Sequence, residues 1–116
     1  MTTAQSGEPS ALSPDAVGDA LEKVLSSEIF RGSERSRALL KFVVERTLSG
    51  RTDELKEYTL GTMVIGKGPA FDPRMDPIVR SEVMRLRTRL EKYYAVDGRD
   101  DLVVIALPKG RYRVMR

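Results

Sequence analysis

The chain has 116 residues, enough for about one domain, and 41% apolar with 32% charged side chains is an ordinary balance for a folded domain. It contains no cysteine and no histidine, which excludes disulfides, thiolate or imidazole metal sites, and the familiar Cys- and His-dependent hydrolases. No apolar run approaches the roughly 20 residues that span a bilayer, and the first residues lack the charged start and apolar stretch of a signal peptide, so a soluble cytoplasmic protein with no membrane contact is expected.

The stretch 1–12 is small and polar and reads as a flexible leader, with one domain over 13–116. Ser13-Pro14 is a helix start, an N-cap residue before proline at the first helical position. Val17, Leu21, Val24, Leu25 and Ile29 then share one face. Arg31-Gly32-Ser33 breaks that helix, and Ser33 is placed to cap a second one that ends at Gly50. Its stripe is Ser36, Leu39, Leu40, Val43, Thr47 and Leu48, and the two stripes are expected to bury each other.

A short helix is expected from Thr59 through Ile65, stopped by Gly66, with Gly61 weakening it by roughly 1 kcal/mol relative to alanine. Lys67 to Met75 holds two prolines and a glycine and reads as a loop, anchored to the body by Phe71. Asp76-Pro77 opens a long helix running to about Tyr94 or Ala95. After Gly98 the β-branched run Leu102 to Leu107 reads as a strand, Pro108 to Arg111 as a turn, and Tyr112 to Val114 as its returning partner. The expected fold class is therefore mainly α with a small β-hairpin.

Charge is unevenly placed. Residues 1–73 hold 9 basic and 11 acidic side chains, and residues 74–116 hold 11 basic and 6 acidic, so the C-terminal part carries the positive excess. Such a balance suits a polyanionic partner. On the long helix Val79, Val83, Leu86, Leu90 and Tyr94 form the core arc at about 100° per residue. Ser81, Arg85, Thr88 and Lys92 stack opposite, Arg89 lies next to them, and Arg80 and Arg87 share one flank. Arginine outnumbers lysine here, which favours planar bidentate contacts to guanine edges and phosphates, with Ser81 and Thr88 adding hydroxyl contacts. The alternative is a solvated amphipathic helix with Glu82 and Glu91 as ion-pair partners. A cationic tip at Lys109 and Arg111, followed by Arg113, places a second set of positive charges after the helix.

Met84-Arg85-Leu86-Arg87-Thr88-Arg89-Leu90-Glu91, followed about twenty residues later by Gly110-Arg111-Tyr112-Arg113, resembles the end of the OmpR/PhoB-type DNA-binding domain. Weaker similarity extends upstream to Arg35, and related domains stand at the head of larger bacterial regulatory proteins. The resemblance implies a winged helix-turn-helix with an additional N-terminal helix. It implies that Arg85 and Arg87 contact DNA, with Arg80, Ser81 and Thr88 on the groove side and Lys109 and Arg111 acting from the wing. It differs from the family in having a helix where a small sheet would precede the motif, and Arg111 where the family has glycine before the wing tyrosine.

The function expected is a sequence-specific transcriptional regulator with helix 76–95 in the major groove and wing 108–113 on the backbone or minor groove. Its partner is double-stranded DNA, with RNA polymerase, another regulator or a second copy of the chain as further partners. The DNA-binding set is Arg80, Ser81, Arg85, Arg87, Thr88, Arg89, Lys92, Lys109, Arg111 and Arg113. No cofactor, metal or catalytic residue is expected; Asp97, Asp100 and Asp101 read as solvated loop acids. The competing class is a protein-interaction module docking on another regulator, with the acidic outer side of the first helix (Asp19, Glu22, Glu28) as its contact. Closing the core is the simpler role for that helix.

Overall fold

Ser13 opens the first helix as its place before Pro14 predicts: its Oγ accepts from the Ala16 N–H at 3.1 Å. In this computed structural model, which describes residues 13–107, helix α1 spans Pro14–Ser26 and α2 spans Glu34–Leu48. A single 3-10 turn at Thr52–Glu54 follows, then the short α3 at Glu57–Thr59, which runs directly into a π-helical stretch, Leu60–Ile65. The long helix α4 spans Ile78–Ala95. The expected leader 1–12 and the turn and returning strand over 108–114 lie outside the described residues.

One core joins these elements. α1 buries Ala20, Leu21, Val24 and Leu25, α2 buries Leu39, Leu40, Val43 and Val44, and Phe30 from their connection fills the space between. α4 closes the core with Val79, Val83, Leu86, Leu90 and Tyr93. The expected stripes shift slightly. Tyr93 takes the deep position and Tyr94 is half-buried, while Leu48 at the end of α2 stays exposed.

The fold class needs correction, because no strand occurs among the described residues, and the expected hairpin of a winged helix is not formed by Leu102–Leu107. That run keeps an alternation, with Ile105 and Leu107 buried and Val104 and Ala106 outward, but only Ala106 has bridge geometry. Side chains of α4 take its backbone groups: the Ile105 N–H donates to the Tyr94 hydroxyl at 2.8 Å, and Arg87 Nε donates to the Leu107 carbonyl at 2.8 Å. β-Propensity reports how well a residue suits a pleated, half-buried surface, and a segment laid along a helix satisfies the same preference.

The loop before α4 is irregular, as its composition predicts, and it is tied at many points. Gly66 ends the π stretch in the left-handed region, φ 92°, where glycine is favoured. Phe71 packs on Gly61 so closely that a Cβ there would lie 2.2 Å from the ring. Tyr58 donates its hydroxyl to the Pro69 carbonyl, and Lys67 pairs with Asp76 at 3.1 Å. Asp76 also accepts from the Ile78 N–H at 3.1 Å, but the N-cap of α4 is Pro77, one residue later than the sequence predicts, and Pro77 makes no side-chain cap bond. The Lys67 ammonium, and then the Ile78 N–H, hold the Asp76 carboxyl below the usual range.

Candidate nucleic-acid interface

The expected site residues of α4 separate into three groups according to angle around the helix. Ser81, Arg85, Thr88 and Lys92 are all exposed on the side away from the core. α4 packs against α2 and the π stretch, and the side chains it buries are Val79, Glu82, Val83, Leu86, Leu90 and Tyr93. The N-terminal helix does not cover the outward face; its inner residues close the core instead.

Arg80 stays exposed on one flank but is held in place. Its guanidinium donates to Glu57 Oε2 at 2.7 Å and to the Pro73 carbonyl at 3.1 Å. The side chain therefore braces α3 and the loop against α4 while its remaining donors face out.

Arg87 and Arg89 lie at the two edges of the buried arc and turn toward the protein. Arg87 reaches the C-terminal segment through the Leu107 carbonyl, and Arg89 donates to the Ile29 carbonyl in the α1–α2 connection at 2.8 Å. Arg89 Nε is buried with no hydrogen-bond partner. Arg37 caps the end of α1 in the same way, donating to the Leu25 carbonyl. A cation at carbonyls near a helix C-terminus also complements the helix dipole. Arg87 and Arg89 are thus engaged by backbone carbonyls of the protein, where the sequence reading gave them to DNA.

Glu82 pairs with an arginine of its own helix, as the solvated-helix alternative expects, but it is not solvated. It is 8% exposed, and its Oε2 accepts from Arg85 at 2.7 Å and from Arg35 of α2 at 3.4 Å. Two guanidinium groups thus share one carboxylate oxygen, leaving a net positive cluster where α2 meets α4. Arg35 belongs beside Arg85, but 47 residues separate it from Glu82, so no local pattern could connect them. Both arginines remain exposed, which keeps the ion pairs weak and exchangeable.

The site residues Lys109, Arg111 and Arg113 lie outside the described residues. Of the loop acids, Asp101 accepts from the Tyr93 hydroxyl at 2.8 Å and faces Lys23 at 3.8 Å, so it ties the turn after α4 to the core and to α1. Burial, and then Asp101, push the Tyr93 hydroxyl above its usual range. Asp97 and Asp100 are exposed. Among the described residues no helix is long and apolar enough to cross a membrane.

No protein-family model, curated protein or solved structure matches the chain. Nothing in these comparisons identifies an OmpR/PhoB-type domain.

Proposed function

We propose that the protein binds double-stranded DNA through the outward face of α4 and acts as a sequence-specific regulator of transcription. The observation that carries the reading is the shared exposure of Ser81, Arg85, Thr88 and Lys92 on one helix face that no other described element covers. An α-helix fits the major groove of B-DNA, where arginine can bridge guanine O6 and N7 and lysine can neutralise phosphate. Arg35 and Arg80 add positive charge at either side of that face, from α2 and from the start of α4.

The test is a titration against duplex DNA at several salt concentrations. Each phosphate contact is expected to contribute about −0.9 to the slope of log K against log salt. Lys92→Ala should lower that slope by about one and change stability by no more than about 0.5 kcal/mol, whereas Arg85→Ala also removes the closer partner of the Glu82 carboxylate and should cost more. Binding that ignores salt, or no binding to any duplex, overturns the proposal and leaves the protein-interaction module as the reading to pursue.

A further inference from the structure

The outward face of α4 has an uncharged centre. At about 100° per residue, Ser81, Met84, Thr88 and Ala95 fall within a strip about 60° wide, and all four are exposed. Arg85 and Lys92 border the strip on one side; on the other lie Arg80 and, nearer the strip, the exposed Glu91. Met84 is 65% exposed in mid-helix, an apolar side chain with no core to enter. Thr88 has its hydroxyl committed, because Oγ1 donates to the Met84 carbonyl at 3.1 Å. What Thr88 offers outward is therefore its methyl group, and the strip presents a thioether and a methyl beside a row of cations, Arg85 and Lys92.

Resting on the DNA-binding reading, we propose that Met84 and Thr88 are specificity-determining residues that recognise thymine through its 5-methyl group. That methyl is the one apolar group on the major-groove edge of a base pair, and apolar side chains are its natural contacts. Arg85 and Lys92 along one border and Arg80 at the start of the other suit the same pose, because a helix in the groove has phosphate backbone beside it. Arg80 pairs with Glu57, and Arg85 with Glu82, so each guanidinium starts from a defined place beside the apolar centre and can exchange its carboxylate for phosphate.

The experiment selects binding sites from a randomised duplex library, then replaces single thymines in a selected site by uracil. The exchange removes the 5-methyl group and keeps the base pairing and the minor groove. Loss of one or two methyls is expected to weaken the wild-type protein about threefold to fivefold each, the factor expected for one buried methyl group. Met84→Ala should bind the thymine site more weakly by a similar factor and lose part of the preference for thymine over uracil. Thr88→Val, which keeps a methyl and loses the hydroxyl, should retain the preference; Thr88→Ser, which keeps the hydroxyl, should lose it. The thermal midpoints of all three variants should match the wild type, since both residues are exposed.

A wild-type protein that binds duplex DNA but does not distinguish thymine from uracil overturns the methyl assignment and leaves DNA binding intact. Undiminished binding and preference in Met84→Ala does the same, and gives the apolar strip to a protein partner. A wild-type protein that binds no duplex overturns both.

Discussion

The segments at the two ends of α4 are built by one device used in opposite senses. Before the helix, the ring of Phe71 in the loop lies on Gly61 of the π stretch; after it, the ring of Tyr93 in the helix lies on Gly98 of the turn. In both places a Cβ on the glycine would come within 2.2 Å of the ring. The rings differ in freedom. Phe71 is half-buried in a loop, whereas Tyr93 is buried, helical, and tied through its hydroxyl to Asp101. Irregular chain can thus be fixed by a ring seated on a glycine at either end of a helix, and the end with the less movable ring is the more rigid one.

Alanine at the two glycines tests that difference most strongly. Gly98→Ala is expected to destabilise by about 2–3 kcal/mol, because neither the Tyr93 ring nor its helix can retreat, and Gly61→Ala by about 1–2 kcal/mol, since the loop carrying Phe71 can yield. Chemical denaturation of the two variants checks the order. Equal losses would mean that the loop is as rigid as the core.

The C-terminal segment gives the next, smaller effect. Tyr94→Phe removes the acceptor of the Ile105 N–H and should cost about 1 kcal/mol. Hydrogen exchange gives the sharper readout, because the Ile105 amide should lose protection while amides within α2 keep theirs. An unaffected Ile105 amide would mean that its protection does not depend on the tyrosine hydroxyl.

The same two ends show what could be read without coordinates. The loop before α4 was legible because proline, glycine and a lone aromatic are local signals, and Ser13, Gly66 and the apolar stripes mark helices in the same local way. The run from Leu102 to Leu107 was not. Its β-branched composition is shared by a strand and by a segment lying along a helix, and only Tyr94 and Arg87, on another element, decide between them. The site divides likewise. Helical periodicity identifies Ser81, Arg85, Thr88 and Lys92 as the outward face, and these are exposed. Arg87 and Arg89 stand at the edges of the apolar arc, where the same guanidinium can reach a phosphate or a carbonyl of its own chain. Which it does depends on Leu107 and Ile29, placed by tertiary structure. Arg35 and Glu82 became functional neighbours only through the packing of α2 on α4.

The smallest expected effect concerns acid, and it returns to the loop before α4. Asp76 joins the Lys67 ammonium to the first turn of α4, and Asp72 accepts from the Arg74 side chain and backbone. Hydrogen bonds from Lys67 and from Arg74, respectively, hold the two carboxyls below their ordinary range. A carboxyl whose titration is lowered in the folded state stabilises the fold at pH values above its unfolded value, about 3.9 for aspartate. That contribution fades as the pH drops toward the lowered folded value. Thermal stability should therefore fall in the acid range, and Asp76→Asn should shallow the fall because the charge that titrates is gone. The end of the molecule after α4 offers the contrast. There burial, and then Asp101, raise the Tyr93 hydroxyl, so its contribution is complete below the unfolded tyrosine value of about 10 and is lost as the pH rises beyond it. Midpoints measured across both limbs should show Asp76→Asn altering the acid limb alone; a change in the alkaline limb would mean that the two ends of α4 are coupled through the helix.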